Sequence, residues 1–114
     1  MVQRRVLVLE DSVLVAMAIE DELADRGHSV TVAGSVAAAM KCLAVQTFDA
    51  ALLDLHLPDG HSHHIARSLD ANGCAVALTS GADTDSVPPA LVHLVSFQKP
   101  VPPHVLGEWI DSLG

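Results

Sequence analysis

Tyrosine is missing from this chain, and its 114 residues include only one tryptophan and two phenylalanines. The core must therefore be filled by Val, Leu, Ala and Ile, the usual contents of a parallel sheet covered by helices on both faces. Cations are also few. Six Lys and Arg stand against fourteen Asp and Glu, a formal net charge of −8. Nucleic acid and anionic membrane surfaces are both bound through clustered Lys and Arg, so neither is expected as a partner. The two cysteines, Cys42 and Cys74, form no closely spaced motif. They read as small core residues of a reduced, cytoplasmic protein rather than as a disulfide or metal framework. No apolar run approaches the roughly 18 residues of a membrane span. The N-terminal MVQRRVLVLEDS has too short an apolar stretch, closed by acids, to act as a signal peptide. No internal repeat, low-complexity tract or linker is visible.

Half of the residues are hydrophobic, which is enough to bury the core of one domain without a staple. Apolar runs alternate with amphipathic stretches five times. Val6–Leu9 is continuously apolar, the pattern of a strand covered on both faces. Ser12 can cap a helix running to Arg26, with Val15, Ala18, Ile19 and Leu23 on one stripe and Gly27 as its stop. Val30–Ala33 is a second strand. Ser35 then caps a helix carrying Val36, Met40 and Leu43 on one face. Asp49–Leu53 is the third strand and runs straight into Asp54. The Leu57–Gly60 segment has strong turn chemistry. A helix from His61 to Asp70 follows, with Ile65, Ala66 and Leu69 inward. Cys74–Thr79 is the fourth strand. The stretch Gly81–Pro89 reads as loop, with at most a short helix through Val92. Leu94–Gln98 is the fifth strand. Pro102 and Pro103 open a last helix whose apolar face is Leu106, Trp109, Ile110 and Leu113. Five such units predict a doubly wound α/β fold, with its chemistry at the carboxyl ends of the strands.

Those ends carry a recognisable set. The first strand ends in Glu10–Asp11, the third in Asp54, the fourth in Thr79–Ser80–Gly81 and the fifth in Lys99–Pro100. Three carboxylates at one edge repel one another unless a cation joins them. Oxygen donors of high charge density suit Mg²⁺, which also accepts phosphate oxygens. An Asp beside Mg²⁺ and a Lys can attack an activated phosphoryl group while both cations neutralise the charge that develops. A nearby hydroxyl and small backbone amides can hold the third oxygen, and Gly81 lets the backbone come close. Singly, each residue has an ordinary reading: Glu10–Asp11 as helix-capping acids, Asp54 as the opening of a turn, Lys99–Pro100 as a loop dipeptide. Their coincidence at four strand ends is what carries weight.

Together, Glu10, Asp11, Asp54, Pro58–Gly60, Ser80–Gly81 and Lys99–Pro100 resemble the receiver domains of two-component response regulators. The resemblance spans nearly the whole chain with the motifs in order. It implies a five-stranded parallel sheet of CheY-like (flavodoxin-like) order 2-1-3-4-5. It makes Asp54 the phosphoacceptor, with Mg²⁺ held by Glu10, Asp11, Asp54 and the backbone carbonyl of His56. It makes Ser80 the switch hydroxyl and Lys99 the phosphate-binding amine. Ser80 is preferred to Thr79 because Gly81 follows it, which would turn Thr79 into the core. The implied partners are a sensor histidine kinase or a histidine phosphotransfer protein, and a downstream protein; a homodimer is left open. Such a domain is a signalling phosphoacceptor rather than an enzyme in its own right. The expectation is one receiver domain over residues 1–114 with no effector domain, so that output runs through protein contact or as a phosphorelay intermediate or sink.

Two features depart from the family pattern. The span from Ser80 to Lys99 is short and holds Pro88–Pro89, so the fourth helix should be short or irregular, as in a subgroup of short receivers. Ser96 stands where receivers usually carry an aromatic, while Phe97 should face the other side of the sheet. These departures motivate an alternative: a pseudo-receiver interaction module that is not phosphorylated. A flavodoxin-like cofactor protein would want a Ser/Thr/Gly-rich loop where Glu10–Asp11 stands. A phosphatase would want an acid where His56 stands. Finally, His56, His61, His63 and His64 fall within nine residues. On a helix, His61 and His64 would share a face and could present a metal site. Solvated imidazoles titrating near neutrality are the plainer reading.

Overall fold

The computed structural model describes residues 2–81 and 87–113. Among these residues, seven strands and four α-helices follow one another: β1 Arg5–Leu9, α1 Val13–Asp25, β2 Ser29–Ala33, α2 Val36–Val45, β3 Ala50–Asp54, β4 His56–Leu57, β5 Gly60–His61, α3 His63–Ala71, β6 Ala75–Ser80, β7 Val95–Gln98 and α4 Pro103–Ser112. Five strands form a parallel sheet in the order β2-β1-β3-β6-β7. That is the expected 2-1-3-4-5 order, because β4 and β5 are a separate two-residue antiparallel hairpin. Between β6 and β7 the described residues hold only a 3₁₀ turn at Pro89–Leu91, so the expected short fourth helix is found in its shortest form. The loop expected over 81–89 lies largely outside the described residues.

Strand alternation divides the core in two. Leu7, Leu9, Ala51, Leu53, Val76 and Leu78 point to the face covered by α2 and α3, where Ala39, Ile65, Ala66 and Leu69 meet them. Val6, Val8, Ala50, Leu52 and Ala77 point to the other face, against Ile19 and Leu23 of α1 and Leu106 and Ile110 of α4. All five residues of β3 are buried, as a central strand with both faces covered requires. Each fully buried Leu here contributes about 2 kcal/mol of apolar transfer free energy.

Ser12 and Ser35 cap α1 and α2, accepting from the amides of Val15 and Ala38. Phe97 packs on the α1–α4 side and Ser96 is exposed, as their alternation dictated.

Three expectations need correction. On α1 the buried stripe is Ala16, Ile19 and Leu23, while Val15 is 43% exposed and Ala18 is exposed too. Ala16, Ile19 and Leu23 recur at i, i+3 and i+7 on one helix face, and Val15 beside them borders an open cleft instead of the sheet. Met40 is exposed on α2, and Ala39 takes the buried position: close approach to the sheet wants the small side chain. α3 begins at His63 rather than His61, because His61 pairs with His56 in the β4–β5 hairpin.

Candidate functional site

The parallel register brings the strand ends level, so the residues after them meet at one edge. Glu10 directly follows β1 and its amide donates to the carbonyl of Ala33, which fixes it beside β2. Asp54 is the last residue of β3 and lies opposite Thr79 of β6. Lys99 follows β7 and its amide donates to the carbonyl of Ser80 at 2.7 Å. Glu10 and Asp54 are 5% and 6% exposed, so two carboxylates are buried close together.

The Lys99 ammonium answers that charge. Nζ lies 2.8 Å from Glu10 Oε1 and 2.7 Å from Asp54 Oδ2. Burial alone would lower the Lys99 pKa, but the bonds to Asp54 and Glu10 outweigh it and hold the amine above its ordinary value. The other carboxylate oxygens are taken by backbone. Glu10 Oε2 accepts from the Ser12 amide at 3.0 Å, and Asp54 Oδ1 accepts from the His56 amide at 3.3 Å. Asp11 is exposed. Oxygens of Glu10, Asp11 and Asp54 all lie within 4.8 Å of one another, the one such set of three metal-capable side chains among the described residues. Three carboxylates with no nitrogen or sulfur donor fit a hard divalent cation such as Mg²⁺.

Every acidic and basic residue singled out in the sequence is therefore brought to one edge. Ser80 and Thr79 are both buried at the end of β6. Thr79 does not enter filled core: with Glu10, Val15, Ile19, Lys99, Pro100, Val101 and Leu106 it lines a cleft of about 400 Å³ between α1 and the start of α4. A strand-end side chain on the α1 face meets this gap because α4 begins only at Pro103.

Two residues that sequence reasoning passed over hold the segment after Asp54 in place. Ser62 is fully buried, and its hydroxyl donates to the Asp54 carbonyl at 2.6 Å. It precedes α3 yet makes no side-chain cap, because the hydroxyl is spent on Asp54. Asp59, read only as part of a turn, caps α2 from across the molecule. Its Oδ1 and Oδ2 accept from the amides of Val36 and Ala37 at 2.9 and 3.0 Å. Those two bonds hold its carboxyl below the usual range. The signal in the sequence was weak: a Ser at a helix start normally caps that helix, and a distant cap leaves no spacing pattern.

The histidines do not sit as the helical spacing suggested. His61 and His64 share no helix face, since α3 starts after His61. Instead the His61 ring lies 4.8 Å from that of His56 and 4.9 Å from that of His63, centroid to centroid. Burial, then the neighbouring His61 and His56, pushes the His63 pKa down.

The model of the family described as response regulator receiver domain matches residues 6–100. Solved structures agree in fold. A CheY-like receiver domain from Methylobacillus flagellatus is 21% identical, with 99% of this chain and 100% of that one covered and a TM-score of 0.84. A CheY-like receiver domain protein from Methanospirillum hungatei JF-1 is 20% identical over 96% and 92% of the two chains, with a TM-score of 0.82. SdrG from Sphingomonas melonis Fr1 is 26% identical over 96% and 94%, with a TM-score of 0.80. No curated protein sequence matches the chain. Among the described residues no helix is long and apolar enough to cross a membrane.

Proposed function

The chain belongs to the response regulator receiver domain family, and from that premise we propose that it takes a phosphoryl group onto Asp54 from the phosphohistidine of a sensor kinase or phosphotransfer protein. The observation that supports this most is the pairing of a buried carboxylate with a half-buried ammonium at 2.7 Å, inside a cluster of three acids. A structural ion pair has no need of the second and third acid.

In this reading the Asp54 carboxylate attacks phosphorus. An O–P bond forms as the P–N bond to the donor imidazole breaks, and the imidazole departs with the electron pair. Lys99 leaves its bond to Asp54 Oδ2 and follows the charge onto a phosphoryl oxygen. Ser80 offers its hydroxyl to another oxygen, with the amides around Gly81 nearby. Glu10, Asp11, Asp54 and the His56 carbonyl would hold Mg²⁺, which supplies positive charge to the phosphoryl oxygens. Attack of water on the same phosphorus later releases inorganic phosphate and restores the carboxylate. Output then passes to a downstream protein by contact, or the phosphoryl group moves on along a relay.

The donor has a surface to meet. Val13, Leu14 and Met17 at the start of α1 are 70%, 80% and 53% exposed, directly beside Glu10–Asp11. Apolar side chains in that number next to a charged site suit a partner that must dock before transfer.

Fluorine NMR with beryllofluoride and Mg²⁺ tests the reading. A bound trifluoroberyllate signal that needs Mg²⁺ and vanishes in Asp54→Asn is expected. Its absence in the unaltered chain would favour an interaction module that works without phosphorylation.

A further inference from the structure

We infer that Ser62 is a positioning residue for the cation site: its hydroxyl sets the backbone that carries both Asp54 and the His56 carbonyl, and with it the affinity for Mg²⁺. This rests on the reading of Glu10, Asp11, Asp54 and the His56 carbonyl as the Mg²⁺ ligands. The sheet leaves a gap beside Asp54. The Leu55 amide donates to the Thr79 carbonyl at 3.0 Å, so strand alternation turns the peptide groups of Asp54 the other way, towards β1. The pairing of β1 with β3 ends at Leu9 opposite Leu53, one residue short of Asp54. The next ladder donor would be the Asp11 amide, which lies beyond the end of β1. The Asp54 carbonyl is therefore left without a partner in the sheet, and the Ser62 hydroxyl takes that place at 2.6 Å.

Ser62 grips the chain twice. Its amide also donates to the Leu55 carbonyl at 3.1 Å, so one residue holds two consecutive carbonyls. The segment 55–61 is thereby closed into a loop, and His56 lies inside it. The His56 amide in turn donates to Asp54 Oδ1 at 3.3 Å, so the same loop also steers the Asp54 carboxylate. Ser62 itself is anchored. It is fully buried, and its carbonyl accepts from the Ala66 amide at 2.9 Å in the first turn of α3. The hydroxyl is spent here at a cost. A Ser before a helix normally caps that helix, which is worth about 1 kcal/mol, yet α3 has no side-chain cap. Partners that orient metal ligands in this way typically cost roughly 10–100-fold in metal affinity when removed.

Titration of the full chain with Mg²⁺ alone, followed by amide NMR shifts, tests it. Binding needs no phosphoryl donor, so the result stands apart from whether Asp54 is phosphorylated. In Ser62→Ala the Mg²⁺ concentration at half-saturation should rise roughly 10–100-fold, with the circular dichroism spectrum unchanged. Ser62→Cys keeps a weaker donor and should fall between; it carries the test if the alanine variant does not fold. Asp59→Ala is the control, because it frees the hairpin from α2 without touching the bond from Ser62 to Asp54. It should leave the affinity as it is. Equal affinity in a folded Ser62 variant would overturn the inference, and so would an equal loss in Asp59→Ala, which would mean that hairpin stability alone is at work. No binding in the unaltered chain would overturn the metal site itself, a result distinct from either.

Discussion

Lys99 is the residue on which the local electrostatics turn. It stands between two carboxylates, Glu10 and Asp54, that burial would otherwise force to share a proton or separate. Lys99→Met leaves both acids buried without a counter-charge. Losing one partner of a fully buried pair costs about 3–5 kcal/mol, but a third of the Lys99 side chain reaches solvent, which reduces the expected loss to about 1–2 kcal/mol. Mg²⁺ should restore most of it, because the same oxygens then gain a cation. Thermal unfolding with and without Mg²⁺ reads both effects; an unchanged melting temperature in metal-free buffer would contradict this account. At this scale the sequence was highly legible. Glu10, Asp11, Asp54 and Lys99 could be found because each sits at or just after the carboxyl end of a strand, and strand ends are easy to place. Ser62 and Asp59 could not, because their partners, the Asp54 carbonyl and the amides of Val36 and Ala37, are backbone groups that the fold alone brings near.

Among the elements, the β4–β5 hairpin is where sequence periodicity was misleading. His61 and His64 fit a helical spacing, and the turn chemistry of Leu57–Gly60 was clear, but the two pairs that close the hairpin are too short to show alternation. The hairpin is held from both ends: Ser62 ties its exit to Asp54, and Asp59 ties its tip to α2. Ser62→Ala removes a buried hydroxyl donor and should cost about 1–2 kcal/mol in urea unfolding. A loss within error would mean that the hairpin stands without this bond. The short 3₁₀ turn that the described residues hold between β6 and β7 fits what Pro88–Pro89 led one to expect, since two consecutive prolines lack amide donors and restrict what precedes them. The displaced stripes of α1 and α2 were not foreseen, because Val15 and Met40 are apolar, and only the fold decides which apolar residue is covered.

Over the whole molecule, three acids bind distant elements together. Asp49 accepts from Arg5 and joins the start of β3 to β1, Asp59 joins the hairpin to α2, and Asp111 joins α4 to His28 and Arg26. All three have their carboxyl pKa held below the ordinary value of 3.8: by the Arg5 amide first for Asp49, by the Val36 amide for Asp59 and by His28 for Asp111. A lowered folded-state pKa gives stability that is present above the unfolded value and is lost as pH falls through the folded one. Urea midpoints should therefore hold down to about pH 4 and then fall, with a shallower fall in Asp111→Asn; a flat profile to pH 2 would refute the linkage. The sheet order and its two faces were readable because continuously apolar strands alternating with amphipathic helices allow few topologies. What that architecture is for rests on Asp54. Intact-mass measurement after incubation with a small acyl phosphate and Mg²⁺ is the most direct test. The account predicts one added phosphoryl group per chain, dependent on Mg²⁺ and lost in Asp54→Asn; an unmodified chain, or a modification that survives Asp54→Asn, would contradict it.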